Sequence, residues 1–153
     1  MTKIQTLVVS AALAIGMAAP VSAAVNDPEV LIYRFPGVRD DGGAQNVGVA
    51  TVFHCTNFSG ATEMMRFVTR EFDGTLKTNA FPPINHLSSL TIVTHIVAAY
   101  GNNQLSMATG AVLQGTTAIA ATSINIICTV ETINASTAAP TGVARHPLQP
   151  GGG

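Results

Sequence analysis

The chain has 153 residues, a formal net charge of −1 and only 10% charged residues. It is sized for one domain and carries no charge excess that would steer it to nucleic acid or anionic lipid. Trp is absent, which removes the most effective aromatic platform for sugars or bases, and the scarce charge is replaced by Thr, Ser, Asn and Gly.

Lys3 is the only charged residue before Asp27, and residues 7–19 form an almost unbroken run of small and apolar side chains. Pro20, Val21, Ser22 and Ala23 follow, small residues suited to signal-peptidase cleavage after Ala23 or, one residue later, after Ala24. A positive start, a short apolar run and a small-residue site predict a secretory signal peptide over 1–23. The run is shorter than the ~20 residues of a spanning helix, so a retained anchor is the weaker reading. No Cys follows it to take a lipid. Removing Lys3 lowers the basic residues from 7 to 6 against 8 acidic ones, a mature charge of −2. The mature chain has no further segment apolar enough to enter a membrane.

In chain order, the segment 29–37 ("EVLIYRFPG") reads as a first strand, placed at an edge by the flanking Pro28 and Pro36. Residues 38–46 carry Asp-Gly-Gly loop chemistry. Residues 47–57 alternate, with Val47, Val49, Thr51, Phe53 and Cys55 on one face and His54 among those on the other. A turn at 58–62 precedes a hairpin in which Met65, Phe67 and Thr69 oppose Arg66, Val68 and Arg70, with Asp73-Gly74 as its turn. Its return strand, 75–81, stops at Pro82-Pro83. Residues 89–97 are a β-branched run, 98–111 read as irregular around Gly101-Asn102-Asn103, and 116–123 and 124–133 read as two last strands. Residues 135–153, rich in Ala, Pro, Thr and Gly, read as a disordered tail. About seven short strands over 24–134 predict an all-β, immunoglobulin-like antiparallel sandwich, with a small β-barrel as the alternative.

The cysteines, Cys55 and Cys128, both fall on the apolar faces of their strands, Cys128 together with Ile124, Ile126 and Val130. A nucleophilic thiolate needs a partly exposed, electropositive setting, and strand geometry sends the ring of His54 to the face opposite Cys55. Export favours pairing. The expectation is an intrachain Cys55–Cys128 disulfide, with free buried thiols or an intermolecular bond as the alternatives. A buried bridge between an early and a late strand resembles the immunoglobulin-type arrangement, although the Trp that packs on such a bridge is missing.

Other chemistry is thin. His54, His86, His95 and His146 include no closely spaced metal-ligand pair, and only His54 and His95, on neighbouring strands, are weak metal candidates. No G-x-S-x-G elbow occurs. The close carboxylate pairs, Asp40-Asp41 and Glu71-x-Asp73, adjoin Gly turns where acidic residues serve the backbone. Arg66, Arg70 and Glu71 read as an exposed charged stripe. Asn57 and Asn134 head N-glycosylation sequons, coincidental if the Ala-rich signal peptide is bacterial.

The segments "ATVFHCTN" and "AATSINIICT" are similar to stretches of short exported bacterial proteins of unassigned activity. That resemblance implies secretion and a retained Cys pair, and brings no function. The expectation is a non-catalytic periplasmic or secreted protein, monomeric and without cofactor, acting by surface contact on an envelope or extracellular partner. A pilin-like structural subunit joined through strand edges is the second reading, and a small metal-dependent hydrolase the third.

Overall fold

Period-2 apolar patterning, interrupted by Gly, Pro and Asp-Gly, divides the chain into strands. The computed structural model describes residues 29–138 and 146–147. Its elements are β1 (Val30–Asp40), β2 (Val49–Asn57), β3 (Glu63–Arg70), β4 (Leu76–Ala80), β5 (Pro83–Ile84), β6 (Ser89–Val93), a 3-10 turn (Ala98–Tyr100), β7 (Leu105–Ser106), β8 (Val112–Ala121), β9 (Ile126–Asn134) and β10 (His146–Pro147). The expected signal peptide with its cleavage sites at Ala23 and Ala24, and most of the expected tail, lie outside the described residues. Within that tail segment, His146 and Pro147 pair with Val130 and Thr129 of β9.

Two sheets form a sandwich. One has the order β1-β8-β3-β4, with β5 also on β3, and the other runs β10-β9-β2-β6-β7. Every pairing is antiparallel except β6–β7. At one corner the sheets are stitched together. The Arg39 N–H donates to Thr51 Oγ1 (2.9 Å), the Thr51 hydroxyl donates to the Arg39 carbonyl (3.0 Å), and the Asp41 N–H donates to the Val49 carbonyl (3.1 Å). None of the helices among the described residues is long and apolar enough to cross a membrane.

Phe53 stands at the middle of the core, in ring contact with Phe35 (6.0 Å, edge-on) and Phe67 (5.8 Å). Met65, Ile119, Ile92 and Val130 bury around it. Aromatic packing of this kind adds about 0.5–1.5 kcal/mol per pair beyond the area removed from water. A second cluster lies on the outer face of the β2 sheet, where Ala50, Val52, Val93 and Ile133 are covered by Val97 and Ala135. β2 is therefore buried on both faces, which is why Val52 and Phe53 can both be apolar.

The disulfide joins Cys55 to Cys128 as expected, but inside one sheet. The two residues are direct cross-strand partners on β2 and β9 with Cα atoms 4.1 Å apart, the close spacing of a non-hydrogen-bonded pair. It departs in this from an immunoglobulin-type bridge, which ties one sheet to the other. Here the tie between sheets near the bridge is Tyr33 of β1. Its hydroxyl donates to the Ile126 carbonyl (3.0 Å) and accepts from the Cys128 N–H (3.4 Å), groups that point away from β2 towards the edge of β9.

Several boundaries differ from the pattern reading. β1 runs on to Asp40 because Val38 is buried against β8. Val47 is exposed and precedes β2, since Gly48 (φ 78°) turns the chain just after it. The strand expected over 89–97 ends at Val93. Thr94 then bonds back to Thr51 in both directions, and Val97 folds over the outer face. After the break at Pro82, β5 resumes pairing with β3. Ile124, expected inside with Cys128, sits in the β8–β9 connection and is exposed.

Replacing both cysteines by Ala is expected to lower the unfolding free energy by about 2–5 kcal/mol, since the loop-entropy model gives roughly 4 kcal/mol for a loop of this length. Urea titration of the oxidised protein against the double variant checks this. An unchanged midpoint would mean that the bond does not constrain the unfolded chain.

Candidate functional site

A polar cluster on the outer face of the β2 sheet centres on His54. Strand alternation turns His54 away from Cys55, as the sequence predicts, and pairs it with Thr91 on β6 and Thr129 on β9. His54 Nδ1 lies 3.0 Å from Thr91 Oγ1, and Nε2 lies 3.1 Å from the Tyr100 hydroxyl and 3.2 Å from Glu131 Oε1. The Tyr100 hydroxyl also donates to Glu131 Oε1. The Tyr100 ring meets the His54 ring edge-on at 4.9 Å between centroids. Glu131 is 2% exposed and His54 23%.

A neutral imidazole protonated on Nε2 satisfies this geometry, donating to the carboxylate and accepting the Thr91 hydroxyl at Nδ1. Hydroxyl, imidazole and carboxylate are thus joined in the order of a nucleophile relay. The relay lies on a sheet whose central strand β2 pairs on both sides, and the Tyr100 ring packs on the imidazole. What the cluster does is fasten residues 94–104 across β2 and β9. Gln104 closes that segment on itself, accepting the Val97 N–H (3.0 Å) and donating to the Val97 carbonyl (2.6 Å).

His95, the other metal candidate, is not brought to His54. Its Nδ1 lies 2.8 Å from Asp40 Oδ2 and its Nε2 lies 3.0 Å from the Val47 carbonyl. Asp40 is buried and also receives the Thr109 hydroxyl (3.2 Å) and the Gly42 N–H (2.7 Å). Each histidine thus has both nitrogens engaged by oxygen partners. Among the described residues, no group of three His, Cys, Asp or Glu is placed to hold a metal. His86 accepts the Gly60 N–H at 3.0 Å in an exposed loop. Asp41, beside buried Asp40, makes a surface pair with Arg39 (3.3 Å).

The Glu71-x-Asp73 pair serves the backbone. Glu71 leaves the expected charged stripe and clasps the start of β8, accepting the N–H groups of Gln114 (3.1 Å), Leu113 (3.2 Å) and Phe72 (3.2 Å). The Gln114 N–H above all holds its carboxyl below the ordinary 4.5, with the other two amides and Lys77 assisting. Asp73 is held below 3.8 by the Thr75 N–H and hydroxyl. The Asn57 sequon is sealed. Asn57 is buried, donating to the carbonyls of Ala61 (2.7 Å) and Ile84 (2.9 Å) and accepting the Ser59 N–H (2.8 Å). Asn134 is exposed and accepts from Ser136.

The sequence reading missed Tyr100, Thr91 and Glu131 as partners of His54, because chain separations of 46, 37 and 77 leave no local pattern. One signal was available. Glu131 is the lone charge in "SINIICTVETI", and a carboxylate inside such a run is costly unless paired.

Tyr100→Phe is expected to destabilise by about 1–3 kcal/mol through loss of the phenol beside a buried carboxylate. Its effect should be non-additive with that of His54→Ala in a urea double-mutant cycle, and strict additivity would dissolve the cluster as a unit. A second prediction concerns acid. A carboxyl whose pKa is lowered by folding stabilises above its unfolded value, and that stabilisation is lost as pH falls from about 4.5 through the lower folded value. Hydrogen-exchange protection at Leu113 and Gln114 should hold at pH 5 and decline below 4.5, and Glu71→Gln should abolish that dependence. In comparisons with known proteins, no protein family and no curated protein matches the chain. The crystal structure of Thermotoga maritima 1070 aligns with a TM-score of 0.49 and 11% identity, over 80% of this chain and 94% of that one.

Proposed function

We propose that this is an exported bacterial protein without catalytic activity, a binding module that works by surface contact. The observation that carries the reading is an exposed apolar end on the β2 sheet. Phe58 (50% exposed), Ile124 (72%) and Ile127 (61%) line an open hollow of about 380 Å³ with Asn125. Leu87, also exposed, is hydrogen-bonded to the neighbouring Asn57 carbonyl and holds φ 58°. Left-handed backbone at a leucine costs on the order of 1–2 kcal/mol, and exposure returns nothing to folding. Large apolar side chains gathered at one surface point to contact with another molecule. The disulfide supports an oxidising compartment, in keeping with the signal peptide read in residues 1–23.

The structural-subunit reading needs an available strand edge. Tyr33 and β10 already occupy part of the β9 edge, which lowers that reading. The hydrolase reading rests on His54 and His95, which lie in separate clusters.

Native mass spectrometry of the exported protein, followed by crosslinking in an envelope extract, tests the proposal. The expected species is a metal-free monomer beginning at Ala24 or Val25, lighter than the reduced chain by two hydrogens. Phe58→Ser with Ile127→Ser should keep the fold and lose the crosslinked partner. An ordered oligomer ladder would instead favour the subunit, and a bound metal lost in His54→Ala or His95→Ala the hydrolase. Equal crosslinking by the double variant would sink the apolar end.

A further inference from the structure

The small net charge conceals where the charges go. Among the described residues, the carboxylates of Asp40, Glu63 and Glu131 are buried and spent on internal partners, Glu63 on the Thr122 hydroxyl. Glu71 holds backbone amides of Phe72 and of the start of β8, Asp73 holds that of Thr75, Asp41 pairs with Arg39, and Glu29 pairs with Arg66. The basic residues take the opposite course. Of the five described, Arg34, Arg66 and Arg70 share the outer face of the β1-β8-β3 sheet.

The register places them. Tyr33, Ile119 and Phe67 align across the three strands and point into the core, so their neighbours in each strand point out. Three outward rows result. Leu31, Ala120 and Arg66 form one, Arg34, Ala118 and Val68 the next, and Pro36, Thr116 and Arg70 the third. The middle strand contributes only Ala, Ala and Thr. At ~4.8 Å between strands, β1 and β3 stand roughly 10 Å apart across this low floor, with Arg34 on one side staggered one row from Arg66 and Arg70 on the other. The rows follow one another at roughly 6.8 Å, two residues of a strand. Arg66 is held in place by Asn79 (2.8 Å), Glu29 (3.3 Å) and the Phe81 ring (4.9 Å), and Arg70 by the Gly74 carbonyl (2.9 Å). The exposed Arg34 side chain makes no hydrogen bond or ion pair with any other described residue.

We propose that this face binds an acidic peptide in extended form, lying along β8 with carboxylates on alternate residues. Guanidinium forks match carboxylates in charge and in planar geometry. The row spacing equals the same-side repeat of an extended peptide, which favours a peptide over other polyanions. The face lies on the other sheet from the apolar end, and the inference does not depend on that end.

Fluorescence anisotropy of the full chain with a labelled Glu-Ser-Glu-Ser-Glu-Ser-Glu peptide provides the test. Binding is expected at about 20 mM salt, weakening about tenfold by about 200 mM as screening shortens the reach of the charges. Arg34→Gln and Arg70→Gln should each weaken binding about fivefold, while the Phe58→Ser/Ile127→Ser variant, on the other sheet, should bind as the parent does. No binding at low salt, parent-like binding by Arg34→Gln, or tighter binding of an oligogalacturonate than of the peptide would each overturn the proposal.

Discussion

Cys55 and Cys128 face one another across β2 and β9, and most of the molecule takes its place from that register. In a strand buried on one face, hydrophobic alternation alone sets the pairing, since a one-residue slip sends every core side chain outward. β2 lacks that safeguard. Ala50, Thr51, Val52, Phe53 and Cys55 are all buried, so either face of this strand could be taken for the inner one. A covalent bond between directly opposed residues removes the ambiguity, holding Phe53 in the sandwich core and Val52 and His54 outside it.

From that choice the outer cluster follows. With Cys55 opposite Cys128, Val52 falls opposite Glu131 and His54 opposite Thr129, which brings the imidazole within reach of the carboxylate on the diagonal. Tyr100 can then close over both, while Val97 covers Val52 and Val93. The outer layer is thus half apolar and half polar, and the polar half holds charge-bearing groups inside hydrogen bonds. Among the described residues, no buried side-chain nitrogen or oxygen lacks a partner. A frame satisfied to this degree leaves its unexplained chemistry on the surface.

How much of this was legible depended on the reach of each signal. Strong alternation and turn chemistry marked β2, the β3–β4 hairpin with Gly74 at φ 86°, and the buried faces of both cysteines. The sandwich followed from strand number, and the corner tie between Arg39 and Thr51 shows why a barrel looked equally available. Continuous β-branched runs misled. Residues 89–97 read as one strand because a segment that crosses over a sheet has the same composition as one that lies within it. Ile124 misled for a related reason, since period 2 continues in sequence after the strand geometry has stopped. For the site, the sequence placed His54 on the correct face and the carboxylates of Glu71 and Asp73 in backbone service. It could not place Tyr100 over His54 or His95 against Asp40, because those contacts join distant segments through register and not through spacing.

Composition also hid an asymmetry that only the fold exposes. Burying a carboxylate is costly unless hydrogen bonds replace its water, and this chain supplies them for Asp40, Glu63 and Glu131. Each carboxylate drawn inward is removed from the surface that a partner meets. Arginine behaves differently, because its stem can lie along a sheet while its guanidinium stays in water. Three of the seven described carboxylates thus leave the surface, while Arg34, Arg66 and Arg70 stay in water on one outer face, Arg66 beside Glu29. Net charge, which counts both alike, is a poor guide to what such a surface attracts.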